Sequence, residues 1–348
     1  MVTPSTSVII VTYNSASYIA RCLEALFANS DAPFEVIVYD NASVDGTQNL
    51  IRDRFPRVKL LEGSANVGFA AACNHGAQTA EDGFLAFLNP DTSVEAGWLS
   101  PLVNVLESDP TVGAVTPQIV FADWPEVVNT CGNEVHFSGI TYCREFGAPV
   151  SEKSPTEVGA VSGAAFVISK RLFDDLGGFE PSFFMYYEDT DLSFRIHCAG
   201  LRCVAVYASK VRHAYRPYFG SAKVFYLERN RYLSLLSLVT WPVLILMLPS
   251  LALMEMASWG YCLQQGKQSV TAKAGSWLDL FRKRHWVMAR RSQQRSCSAG
   301  KRWPLGAFSA RLQVQYVNGQ SKVMTRLLET IGWLMARPML ALAHALWS

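Results

Sequence analysis

The chain has 348 residues, half of them hydrophobic, and a formal net charge of +2. That length holds one large α/β domain with an appendage, or two domains, and a charge this close to neutral excludes a general attraction for nucleic acid. The eight cysteines include no CxxC pair and no Cys/His cluster with zinc spacing, so they read as reduced thiols rather than as a metal site.

The N-terminal MVTPSTSVIIVTYNS lacks a basic region followed by a long apolar stretch, and the chain is expected to stay on the cytoplasmic side. Residues 7–12 (SVIIVT) form a β-branched run that predicts a buried strand ending at Thr12-Tyr13-Asn14, and residues 17–28 follow with helical apolar spacing. A second strand over 34–39 ends at Asp40-Asn41. A turn containing Asp45 and a helix over 47–55 come next. A third strand over 58–62, a glycine- and alanine-rich helix over 66–79 and a fourth strand over 84–88 lead to Asn89-Pro90-Asp91. Strand and helix alternating at this rhythm predict a mostly parallel sheet covered on both faces. In such sheets the ligand lies beyond the carboxyl ends of the strands, and three of the first four strands end in polar residues there.

From 115 to 165 the signal is mixed, predicting short strands and loops and then a strand near 164–168. A short helix over 170–176, a helix opening at 187–199 and a strand over 204–207 complete this part, with His213 after the last strand. Composition changes after Ser221, and the chain divides into an expected catalytic domain, 1–222, and a helical region, 223–348. Residues 239–259 carry a single charge, Glu255, and nearly reach the ~20 residues that span a bilayer, although Pro242 and Pro249 interrupt them. Residues 267–302 are strongly basic with interleaved tryptophans, and 327–347 are apolar. This region is expected to bind an anionic membrane surface peripherally or by shallow insertion. An oligomer interface and a transmembrane hairpin are the competing readings.

Asp40 at a strand end can accept the N3–H of a uracil or thymine, beside Thr12 and Asn14. Asp45 reads equally well as a turn-forming carboxylate. Ser162-Gly163-Ala164-Ala165 can bring bare backbone close to a ligand. The cluster Glu188-Asp189-x-Asp191 follows the aromatic run 183–187, which would wall the carboxylates from water.

The ordered motifs VIIVTYNSASYIARCLEAL (8–26), VIVYDNASVDGT (36–47), NVGFAAACN (66–74), FLNPDT (87–92), 162–195 and RNR (229–231) resemble the family 2 inverting glycosyltransferases of GT-A fold, in particular a rhamnosyltransferase-like branch. The resemblance implies a Rossmann-like α/β catalytic domain. It implies a dTDP- or UDP-linked sugar donor bound by Thr12, Tyr13, Asn14, Asp40, Asn66, Gly68, Asn89, Gly163 and Ala164. It places a divalent Mg²⁺ or Mn²⁺ on Asp91 with His213, Asn89 standing where the usual first acid would be. Asp189 would be the catalytic base with Glu188 assisting. Tyr187, Asp191, Arg229 and Arg231 would bind a lipid-linked or glycan acceptor at the cytoplasmic face of the membrane. A sugar-nucleotidyltransferase and a non-catalytic membrane scaffold on the same fold are the alternatives, and the first usually opens with a basic, glycine-rich phosphate loop that TYNSAS lacks.

Overall fold

A computed structural model describes residues 5–31, 34–81, 83–216, 220–297, 307–311 and 322–347. The chain divides into two compact units. One comprises residues 1–133, 143–196 and 201–216, the other 134–142, 197–200 and 217–348.

The first unit runs β1 (Ser5–Thr12), α1 (Ile19–Asn29), β2 (Phe34–Asp40), α2 (Thr47–Arg54), β3 (Lys59–Glu62), α3 (Phe69–Gln78), β4 (Gly83–Leu88), β5 (Thr92–Val94), α4 (Ser100–Ser108), β6 (Val112–Phe121) and β7 (Val128–Thr130). After β8 (Asn133–His136) and β9 (Thr141–Cys143) it continues through β10 (Thr156–Val158), β11 (Ala165–Ser169), α5 (Lys170–Asp175), α6 (Glu188–Cys198) and β12 (Arg202–His213). The large sheet has the order β10-β12-β6-β11-β4-β1-β2-β3. Strands β4, β1, β2 and β3 are mutually parallel, as are β6 and β12, while β11 runs antiparallel between β4 and β6.

Alternation along β1 shows why these residues make a two-layered core. Val8 and Ile10 face one side, with Ile19, Leu23 and Leu26 of α1. Ile9 and Val11 face the other, with Ala70, Cys73 and Ala77 of α3. Each such fully buried aliphatic side chain contributes about 1.5–3 kcal/mol. Helix α3 lies so close to the sheet that a Cβ on Gly76 would stand 2.7 Å from Ile9 Cγ2, which accounts for its small residues.

The stretch read as mixed holds β6, ten residues long and buried nearly throughout. Pro117 in its middle hides it in the sequence, because proline lacks the ladder N–H. The structure accommodates it with a bulge: β12 slips register between Val206, opposite Pro117, and Lys210, opposite Gln118. Beyond the bulge β12 continues to His213, so this histidine ends the strand rather than following it.

The second unit holds α7 (Ser221–Leu238), α8 (Trp241–Gln265), α9 (Lys267–Arg282), α10 (Arg284–Cys297), β13 (Phe308–Ser309) and α11 (Lys322–Trp347). Its small sheet has the order β13-β8-β9. Among the described residues, α8 alone is long and apolar enough to cross a membrane. Its Trp241, Ile245, Leu248, Met256 and Leu263 are exposed, on one stripe about 80° wide at 100° per residue. Its Glu255 turns inward and meets Arg231 at 2.8 Å and Lys273 at 3.0 Å, and both cations also bind Glu228. Arg229 pairs with Asp279 at 3.1 Å. Lys273 is fully buried and Arg231 is 3% exposed, so these charges are satisfied within the helical unit.

Candidate active site

Strand register collects the polar strand ends on one edge of the large sheet. Thr12 lies directly opposite Asp40, and β4 delivers Asn89 on the other side of β1. Strand β11 runs the opposite way, so its start, Gly163-Ala164, reaches the same edge, where Asn89 N–H donates to the Ala164 carbonyl at 2.9 Å. Strand β12 brings His213 there, opposite Thr92 of β5.

Asp40 is fully buried, and its carboxylate accepts four hydrogen bonds. Oδ1 takes the Ser43 amide (2.8 Å) and the Gln48 side-chain amide (2.6 Å). Oδ2 takes the hydroxyls of Thr12 (2.7 Å) and Ser43 (2.6 Å). That fills the lone pairs of a carboxylate, so a pyrimidine N3–H reaches Asp40 only by displacing one of these donors. Tyr13 beside it is 53% exposed and offers a ring face to a base. Asn14 stands at φ 51°, and its Oδ1 accepts the Val44 amide at 3.0 Å. Asp45 accepts from Ala16 N, Thr47 N and Thr47 Oγ1, and so belongs to the turn.

Asn66 Oδ1 accepts the Gly68 amide at 2.9 Å, shaping the loop that opens α3. At Gly68, φ is 86° and a Cβ would stand 2.5 Å from the Phe184 carbonyl oxygen, so only glycine fits where this loop meets the aromatic run.

Asp91 and His213 come together, with His213 Nε2 3.4 Å from Asp91 Oδ1. That oxygen is buried and has no hydrogen-bond partner among the described residues. Asn129 Oδ1 lies 3.1 Å from His213 Nδ1; when it takes the Nδ1 proton, Nε2 turns a lone pair toward Asp91. Two acceptors facing each other across this gap suit a hard divalent cation. They supply two protein donors, so phosphate and water must complete the shell. Asn129 escaped the sequence reading because it falls in the stretch read as mixed.

Asp189 is anchored by backbone. Its Oδ2 accepts the Gly163 amide at 2.7 Å, and its Oδ1 accepts the Thr190 amide at 2.6 Å. A Cβ on Gly163 would lie 3.1 Å from Oδ2, so the glycine permits this approach. Burial raises the Asp189 carboxyl above its usual range against these donors. Glu188 beside it is 6% exposed, and its Oε2 has no partner among the described residues. Burial, and then the charge of Asp189, pushes Glu188 up to about 8. In the aromatic run just before this pair, Phe184, Tyr186 and Tyr187 take φ of 64°, 66° and 73°, and Tyr187 is 5% exposed.

Three expected acceptor contacts are corrected. Asp191 is fully buried and bonds Arg195 Nε at 3.0 Å, one turn along α6, because a carboxylate in the first helical turn finds its cation at i+4. Arg229 and Arg231 are neutralised by the acids of the helical unit described above and have little charge to offer a pyrophosphate.

Residues 7–177 match the model of the glycosyl transferase family 2. The N-acetylglucosaminyl-diphospho-decaprenol L-rhamnosyltransferase of Mycobacterium tuberculosis is 28% identical over 229 residues, 59% of this chain and 75% of that protein. The crystal structure of GalNAc-T7 with UDP, GalNAc and Mn²⁺ superposes with a TM-score of 0.59 at 19% identity, covering 72% of this chain and 51% of that one. S. aureus TarS 1–349 in complex with UDP-GlcNAc superposes with a TM-score of 0.56 at 15% identity, covering 91% and 98%. The chain carries a family 2 glycosyltransferase domain. Its mixed α/β sheet, with helices on both faces, has the GT-A type of fold.

Proposed function

We propose that this protein is a metal-assisted, inverting glycosyltransferase of cell-surface glycan synthesis, moving a sugar from a nucleoside diphosphate onto a lipid-linked or polysaccharide acceptor. The observation that carries this reading is Asp189, a half-buried carboxylate held on the Gly163 amide at the edge where Asn89, Asp91 and His213 also meet. Tyr13 and Asp40 support a pyrimidine nucleotide, dTDP- or UDP-linked. L-Rhamnose from dTDP-rhamnose is the first donor to test, supported by the name of the mycobacterial relative.

The chemistry is one displacement. The acceptor oxygen attacks the anomeric carbon from the face opposite the diphosphate, Asp189 takes its proton, and the bond to the diphosphate breaks with its electron pair on the departing nucleotide. Glu188, held up to about 8, carries its proton at neutral pH, so the pair bears a single negative charge and the base role falls to Asp189. Asp91 and His213 would hold Mg²⁺ or Mn²⁺. When bound, the cation neutralises charge gathering on the diphosphate.

The helical unit serves as a peripheral anchor at the cytoplasmic face of the membrane. The exposed apolar stripe of α8 and the basic character of 267–302 support this role.

The test is to incubate the protein with dTDP-rhamnose, and with a panel of UDP-sugars, with and without Mg²⁺ or Mn²⁺. Metal-dependent release of nucleotide that Asp189→Asn abolishes supports the reading. A parent protein that neither turns over nor is heat-stabilised by any nucleotide sugar returns it to the scaffold alternative. Pyrophosphate release from a nucleoside triphosphate and a sugar phosphate would instead establish a nucleotidyltransferase.

A further inference from the structure

The hairpin between β6 and β7 carries a surface that the reaction centre does not use. Phe121 N–H donates to the Val127 carbonyl at 3.0 Å, and Val127 N–H closes the tip on the Trp124 carbonyl at 2.9 Å. The base of the hairpin is tied to the site, because Ala122 N–H donates to the carbonyl of His213 at 2.9 Å. Behind the tip the aromatic rings form a connected group. Phe121 lies 6.1 Å from Trp124, 5.5 Å from Phe146 and 6.3 Å from Tyr215, between ring centroids. Tyr215 in turn lies 5.6 Å from His213.

Trp124 is 59% exposed at the end of this group, an unusual cost for so large an apolar side chain in a hairpin of the catalytic unit. Its neighbours at the tip, Asp123 and Glu126, are exposed as well. Two carboxylates beside an aromatic face repel phosphates and acidic headgroups but accept hydrogen bonds from hydroxyls. A sugar ring presents apolar C–H groups on its face and hydroxyls at its rim, which matches that surface in both respects.

From this juxtaposition we propose that Trp124, flanked by Asp123 and Glu126, is the platform on which a neutral glycosyl ring of the acceptor stacks. The inference rests on the transferase reading above. The phosphate portion of a lipid-linked acceptor must lie away from this tip, and the hairpin recognises sugar alone.

The test uses full-length protein labelled with 5-fluorotryptophan. The Trp124 resonance is the one lost in Trp124→Phe, and the unchanged remaining resonances show that the variant folds. Titration with methyl β-glycosides of N-acetylglucosamine and glucose and with methyl α-L-rhamnoside should shift the Trp124 resonance saturably and in preference to the other tryptophans. With a glycoside acceptor that is turned over, Trp124→Ala should raise the acceptor KM about tenfold with a smaller change in kcat, as for a truncated aromatic anchor, and Trp124→Tyr should restore most of it. A resonance that no glycoside moves, or that moves only with a short prenyl phosphate, overturns the proposal. Absence of donor turnover in the parent protein, with the glycoside shift present, would instead fault the transferase reading and leave the sugar platform standing.

Discussion

Replacing Glu188 by Gln puts the electrostatics of the site to a quantitative test. Glu188 is 6% exposed, and burial with the charge of Asp189 pushes it from an ordinary 4.5 up to about 8. Below pH 4.5 the carboxyl is protonated in both folded and unfolded chains, and its burial costs nothing through ionisation. As pH rises the unfolded chain ionises first, so the folded state loses stability steadily until about pH 8, where the loss levels off. At 1.36 kcal/mol per pH unit, the interval from 4.5 to about 8 sets a ceiling of about 5 kcal/mol. Relaxation and water entry trim this to roughly 2–3 kcal/mol. Glutamine keeps the shape and does not titrate. Glu188→Gln should therefore match the parent near pH 4.5 and exceed it by roughly 2–3 kcal/mol near pH 8.5, a gain of about 5–10 °C in Tm for a domain of this size. Urea denaturation of both proteins across that range is the assay. Stability curves that run parallel from acid to alkaline pH would refute the reasoning, as would a parent that gains on the variant as pH rises.

Other consequences are equally direct. Asp189→Asn should lower kcat by about 10²–10⁴-fold while nucleotide-dependent heat stabilisation survives; activity within tenfold of the parent would move the base elsewhere. Gly163→Ala inserts a methyl 3.1 Å from Asp189 Oδ2, and turnover should fall well beyond what the small change in Tm accounts for. Asp40→Asn gives an amide NH₂ where two donors already point. A loss of about 1–3 kcal/mol in stability is expected by denaturation, and an unchanged midpoint would contradict the four hydrogen bonds. On α8, Ile245→Ser combined with Leu248→Ser removes two exposed apolar side chains. Flotation with anionic liposomes should drop while Tm holds, and undiminished flotation would assign the stripe another role.

The parallel half of the sheet was legible because β1, β2 and β4 are short apolar runs bounded by polar turn residues, and two-residue periodicity alone sorts Val8 and Ile10 from Ile9 and Val11. Strand β6 was not, because Pro117 contradicts a central strand and the compensating bulge lies about 90 residues away in β12. Within the site, the strand-end positions of Asp40, Asn89 and Asp91 follow from local pattern. The partners that set their chemistry come from remote sequence: Asn129 behind His213 and Gly163 under Asp189. Gln48 could have been anticipated, since it is the second residue of the helix that follows Asp40. The charges of Asp191, Arg229 and Arg231 looked available because sequence shows a charge but not the opposite charge folded against it.

The left-handed backbone at Phe184, Tyr186 and Tyr187 sets a limit on how far this protein can be hardened. Each bulky residue held there stores on the order of 1 kcal/mol or more that a glycine would release. A screen for thermal tolerance should therefore favour glycine at these three positions, and if the aromatic run shields the proposed base Asp189, the survivors should turn over slowly. Robustness and rate would then pull in opposite directions within four consecutive residues.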